Sequence, residues 1–184
     1  MKAKIILIGA LSLITLAGCK IDKKDDNQPA LAQPTAKQGT GRVSVIIKAI
    51  VHKDDAFQLF YTEDSSLNYN GDLSVVVPVT GSEAVQDIVF SLSDDALPTT
   101  LRLDVGENKA QGDMTIESIM VNYYDKKLSI PGKDFTKYFQ PNNNMKTDGQ
   151  SPVIKLVTDD QGIYDPMAYP SGELINSLRT ILVK

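Results

Sequence analysis

Residues 42–184 predict an all-β fold, a sandwich or a barrel. Three observations carry that expectation. Short runs of β-branched and aromatic residues recur through this part of the chain. Clusters of Gly, Asp, Asn, Ser and Pro separate them at the spacing of sheet turns. Within several runs apolar and polar residues alternate with a period of two, as a half-buried strand requires.

The first strand is expected over 42–51, Arg-Val-Ser-Val-Ile-Ile-Lys-Ala-Ile-Val, and the second over 56–61. In the second, Phe57, Leu59 and Tyr61 share one face, and Gln58 and Phe60 the other. Further strands are expected over 73–79, 85–92 and 99–104, the last with Leu101 and Leu103 opposing Arg102 and Asp104. In the run 113–123, Met114 and Ile116 fall out of phase with Ile119, Val121 and Tyr123. A β-bulge at Glu117-Ser118 accounts for that slip, because one extra residue restores the inward face.

The remainder is less regular. Phe135, Tyr138 and Phe139 lie in an unassigned stretch, Pro141 and Asn142 to Asn144 form a turn, and 153–157 is another strand. The turn 159–162 leads into a stretch from Ile163 to Pro170. Leu174, Ile175, Leu178, Ile181 and Leu182 then form a helical stripe that Ser171 can cap. This predicts a short C-terminal helix, with a closing strand over 180–183 as the alternative.

Ahead of this domain, Lys2 and Lys4 precede an uncharged run from Ile5 to Gly18, which has the layout of an export signal. It falls short of the about 20 apolar residues a membrane span needs. The run ends Leu16-Ala17-Gly18-Cys19, with the only cysteine of the chain behind two small residues. That motif resembles the lipobox of bacterial lipoproteins. The resemblance implies removal of residues 1–18, a diacylglycerol on the Cys19 thiol and an acyl chain on its new amine. Each buried CH2 contributes about 0.8 kcal/mol, so two or more chains hold firmly at a membrane. Residues 19–41 are polar, with Pro29, Pro34 and Gly39, and read as a tether spanning roughly 25 Å by the ~5–6 Å × √n rule. Lys20, Asp22, Asp25 and Asp26 are similar to the surface-export signal of Bacteroidota lipoproteins; a generic solvated linker is the alternative. The expected address is the outer membrane, lipid-anchored, with the domain on the cell surface or the periplasmic side.

Removing Lys2 and Lys4 takes the formal net charge from −4 to −6, which argues against nucleic acid or an anionic headgroup surface as a partner. With Cys19 lipidated, no cysteine remains for a disulfide, and stability must come from burial.

Little in the sequence points to catalysis. The single histidine, His52, is followed by Lys53-Asp54-Asp55 at a strand end, and there is no Gly-x-Ser-x-Gly elbow. One histidine and a lipidated cysteine make a poor zinc set. Glycoside hydrolysis needs only two carboxylates, but the pairs Asp54/Asp55, Asp94/Asp95 and Asp159/Asp160 all fall in turns, where aspartate bonds its own backbone. The expectation is a non-catalytic protein, with a glycan-active hydrolase as a lesser alternative. Asp104, Asn108 and Asp113 are candidate oxygen ligands for calcium, the one cofactor considered, although they lack the EF-hand pattern. The plainer role of Asp104 is to fix the turn that leaves its strand.

Sugar recognition combines flat aromatic faces with amides and charged groups. Tryptophan is absent. Tyr69, in Asn68-Tyr69-Asn70-Gly71, and the adjacent Tyr123-Tyr124 are the candidate platforms, with Asn68, Asn70 and Asn122 as amide partners.

The stretch 55–106 also resembles β-sandwich modules attached to bacterial membrane glycosyltransferases and other cell-surface polysaccharide proteins. The resemblance rests on Phe57 to Tyr61, Val79-Thr80-Gly81, Gln86 to Phe90, Leu101 to Gly106 and Ile116 to Ile119, and later on Gly162 to Met167. Val105 stands where such modules usually have proline. The resemblance implies a jelly-roll-like antiparallel sandwich related to carbohydrate-binding modules. The resulting expectation is a surface sandwich that binds glycan or assists a surface glycan system. A structural or adhesion lipoprotein bound to another envelope protein is the alternative.

Overall fold

The computed structural model describes residues 41–182. Cys19, the export segment and the tether through residue 40 lie outside the described residues. The described chain folds as two antiparallel sheets packed as a sandwich, with a short C-terminal helix.

The first sheet is built from β1 (Ser44–Val51), β4 (Ser82–Ser91), β6 (Asp113–Tyr123), β7 (Lys126–Pro131), β9 (Met145–Lys146) and β10 (Val153–Leu156). Its order is β4-β1-β6-β10-β9, with β7 also paired to β6. The second sheet holds β2 (Asp55–Thr62), β3 (Ser74–Val79), β5 (Thr100–Asp104), β8 (Phe139–Pro141) and β11 (Met167–Pro170), in the order β3-β2-β5-β11-β8. The alternation that marks the strands in the sequence decides their facing. Val45, Ile47, Ala49 and Val51 of β1 meet Phe57, Leu59 and Tyr61 of β2 and Leu101 and Leu103 of β5 in one core. Fully burying an aliphatic or aromatic side chain stabilises by roughly 1.5–3 kcal/mol, so this interior is the main source of stability in a domain without disulfides.

The phase slip in β6 is a bulge. Lys48 pairs with Ser118 and Ala49 with Ile116, which leaves Glu117 as the extra residue, exposed, while Ile116 and Ile119 both stay inward. The bulge sits where β6 changes partner on the side away from β1. Residues 113–115 pair with β10, and residues 118–123 pair with β7. In the gap the Ile116 N–H donates to Pro152 O at 2.9 Å. Buried Gly132 packs so tightly there that a β-carbon would overlap the Ile116 carbonyl oxygen.

The C-terminal stripe is a helix, not a strand. After α1 (Phe135–Tyr138), α2 (Gly172–Ile181) buries Leu174 and Leu178, and the Ser171 hydroxyl accepts from the Leu174 N–H as its cap. β7, β8, β9 and β11 are elements that the sequence pattern does not resolve, and β4 begins at Ser82 rather than 85. Among the described residues no helix is long and apolar enough to cross a membrane.

Candidate functional site

The second sheet turns a mixed polar and aromatic face outward. Register places Phe60 opposite both Ser74 of β3 and Arg102 of β5, and Gln58 opposite Val76 and Asp104. Met167 of β11 lies opposite Asp104, and Tyr169 opposite Gln140 of β8. One row across the sheet therefore runs Ser74, Phe60, Arg102, Tyr169, Gln140, flanked by a second row of Val76, Gln58, Asp104 and Met167.

Arg102 is the centre of this face. Its guanidinium carbon lies 4.1 Å from the Phe60 ring centroid, 5.2 Å from Tyr69 and 5.9 Å from Tyr169. These distances are within cation–π range. From the same strand Asp104 takes the guanidinium as a fork, Nε to Oδ1 at 2.9 Å and Nη2 to Oδ2 at 2.8 Å. Both side chains are mostly covered, at 17 % and 18 % exposure. Burial lifts the Asp104 carboxyl above its ordinary value, against the downward pull of the Arg102 bonds and charge, and Asp165 adds a further upward push.

Tyr69 reaches this face from the loop after β2. Its hydroxyl donates to Thr100 Oγ1 at 3.0 Å, and Thr100 is itself bonded to Thr62 at 2.7 Å inside the domain. Thr62 also donates to Ser66 O at 2.8 Å, so two buried threonines fasten the loop that presents the ring. Half-burial raises the Tyr69 phenol above the usual tyrosine value, opposed by the Thr100 bond and the Arg102 charge. Tyr69 and Tyr169 sit 6.4 Å apart with rings tilted by 51°, and Tyr169 is 36 % exposed.

Among the other sugar-binding candidates, Tyr123, Tyr124 and Asn122 belong to the first sheet and its β6–β7 turn and do not join Tyr69. Tyr123 is buried in the core at the end of β6. Its neighbour Tyr124 stands exposed in the β6–β7 turn at φ 51°, its ring edge-on to Tyr123 at 71° and its phenol against Gly41. Neighbouring strand residues do face opposite ways, but here the inward one belongs to the core and the pair forms no common plane. Asn122 donates to Ser44 Oγ at 3.3 Å on the first sheet. Asn70 caps the turn Gly71–Leu73 by accepting from the Asp72 N–H, and Asn68 is exposed beside Tyr69.

Of the calcium candidates Asp104, Asn108 and Asp113, Asp104 and Asp113 lie on different sheets. Asp104 is committed to Arg102, the Asn108 side chain bonds Asp54 O and the Ala110 N–H, and Asp113 opens β6 at the edge with β10. Among the described residues no group of three or more His, Cys, Asp or Glu converges as a metal site. The loop after β5 is fixed by Asp55 and not by Asp104. Asp55 Oδ1 accepts from the Glu107 and Asn108 N–H groups at 2.9 and 3.3 Å.

Two more of the paired acids hold backbone. Asp54 accepts from the Gly81 N–H, and Asp159 accepts from Gln161 and Ile163. Asp94 pairs with Arg42, and His52 meets Glu83 at 3.0 Å on the surface. The asparagines of the β8–β9 turn do more than turn the chain. Buried Asn144 donates to Val157 O and Ile163 O, and Asn142 donates to Asp165 O, which ties the turn to the approach of β11.

Phe60, Arg102 and Tyr169 were not candidates from sequence. An outward Phe60 and Arg102 follow from the alternation of β2 and β5, and a large ring on a solvent face is the signal that could have found them. Tyr169 joins only through the pairing of β11, which no local pattern announces.

Comparison with protein-family models, curated proteins and solved structures gives no match. The class that the fold defines is a two-sheet antiparallel β-sandwich with an aromatic and arginine face on its second sheet.

Proposed function

We propose that this chain is a lipid-anchored module of the outer membrane that binds glycan without transforming it. The observation that carries the reading is the assembly of Phe60, Tyr69 and Tyr169 around Arg102 and Asp104 on one outward sheet face. The partly exposed Tyr69 and Tyr169 rings offer stacking surface to the C–H side of a pyranose, with Phe60 buried beneath Arg102, and the guanidinium N–H groups that Asp104 leaves, with the Gln58 amide, offer partners for hydroxyls. Support for the anchor comes from Leu16-Ala17-Gly18-Cys19, and the sequence resemblance to sandwich modules of surface-polysaccharide proteins agrees with the ligand class.

Binding of the purified full-length chain to a glycan array tests this reading. Saturable binding to a narrow glycan set, lost about tenfold or more in Tyr169→Ala with unchanged melting, is the expected result, since an aromatic contact and its area account for such a loss. Equal binding by the variant overturns this face as the site.

An envelope protein is the alternative occupant. Leu67, in the loop that carries Tyr69, and Val76, in the flanking row, are both more than half exposed and favour an apolar partner at the rim. A membrane pull-down that Leu67→Asp and Val76→Asp abolish, with no glycan bound, would favour it.

A further inference from the structure

Resting on the glycan reading above, we infer that the second-sheet face selects uncharged glycans and rejects uronate, sialylated or sulfated ones. An unpaired arginine on a binding face is a natural partner for carboxylate or sulfate, because its planar fork matches two anionic oxygens. Here that preference is already satisfied. Asp104 occupies the Nε and Nη2 edge of Arg102 with both carboxylate oxygens. The guanidinium has five N–H donors, and the Asp104 fork takes two of them, which leaves three on its Nη groups for a ligand.

What that edge can accept is set by charge. A second anionic group on it would lie within a few ångströms of the Asp104 carboxylate, in a setting where both members of the pair are more than four-fifths covered. Asp165, two residues before the Met167 that pairs with Asp104, adds a second negative charge on the Asp104 side of the fork. Water screens such a cluster poorly once a ligand covers it. Neutral hydroxyls meet no such repulsion. Two adjacent hydroxyl oxygens of a pyranose fit the same edge of the fork as a carboxylate, with the sugar face against Tyr169 and Tyr69. Asp104 thus acts as a built-in anion that fixes the guanidinium among the rings and takes the two-oxygen contact an acidic sugar would seek. The net charge of −6 expected after export repels acidic polymers in the same sense.

The test is an array of neutral hexose and pentose oligosaccharides beside uronate-containing, sialylated and sulfated ones, probed with the full-length chain at low and high salt. Neutral glycans alone should bind, with little salt dependence. Asp104→Asn, which keeps the shape and removes the anion, should shift the ratio of acidic to neutral binding upward by about tenfold or more, since like-charge juxtaposition is then relieved. Asp104→Glu retains the charge and should keep the neutral preference; melting curves exclude unfolded variants. Preferential binding of acidic glycans by the wild-type chain overturns the inference and leaves the glycan reading standing. Unchanged selectivity in a folded Asp104→Asn overturns the role of the pair. Binding to no glycan overturns both.

Discussion

Gln111 is buried with its amide nitrogen donating to Asp55 Oδ2 at 3.2 Å and to Lys53 O at 3.1 Å. Its oxygen accepts from the Lys53 N–H at 2.9 Å. The other Asp55 oxygen takes the backbone of Ala56, Glu107 and Asn108. One carboxylate at the start of β2 thereby fixes a loop more than fifty residues away. Asp55→Ala strips several N–H groups of their acceptor at once. Hydrogen bonds to charged groups contribute about 1.5–3 kcal/mol each, so a loss of at least about 2 kcal/mol in unfolding free energy is expected, read from urea denaturation.

Tyr164 donates to Asn108 O at 3.0 Å in the same assembly. Burial, and then the nearby Asp55 charge, push its phenol up from 10.0 to about 12. The unfolded chain releases this proton near pH 10 while the folded chain keeps it. Stability is therefore whole below pH 10 and falls as pH rises from 10 towards 12. Tyr164→Phe, although weaker at neutral pH for want of its hydrogen bond, should lose less stability than the wild type across that window. Denaturant midpoints at about pH 9 and pH 11 give the comparison; equal slopes would remove Tyr164 as the titrating group.

Gly132→Ala should cost at least about 2 kcal/mol, because the added carbon meets a backbone oxygen that cannot swing aside. Gly172→Ala is the contrasting case. Its β-carbon meets nothing within 4 Å at the start of α2, and alanine in a helix is favoured by up to about 1 kcal/mol. Opposite signs in the two melting temperatures would check both.

Ser171→Ala should cost about 1–2 kcal/mol, as the hydroxyl both caps α2 and donates to Lys137 O at 2.7 Å. Ser171→Asp restores the cap but not the donor, and should recover part of the loss in the same unfolding curve.

The strands with clean alternation were legible because burial on one face is written locally. Leu101 and Leu103 against Arg102 and Asp104 give both the strand and its facing, and the slip at Glu117 gives the bulge before any partner is known. β7 hides behind Lys126, Lys127 and Pro131, and β11 has only four residues, bounded by Pro166 and Pro170. The site was legible in part for the same reason. Tyr69 stood out in a turn, whereas Tyr123 and Tyr124 look equivalent in sequence and differ only in which of them points into the core. The face that gathers around Arg102 needs three strands and a loop brought together by pairings distant in the chain.

β11 has an architectural consequence for how this domain is made. It lies between β5 and β8, so the four residues Met167–Pro170 join the two halves of the second sheet. Until they emerge, β8 lacks its sheet partner and β5 has an open edge. Contacts this distant in sequence fold slowly, on the millisecond-to-second scale typical of sandwiches. A chain still being synthesised cannot close this sheet before these four residues emerge. The face around Arg102 is completed only when β11 pairs and brings Tyr169 to it.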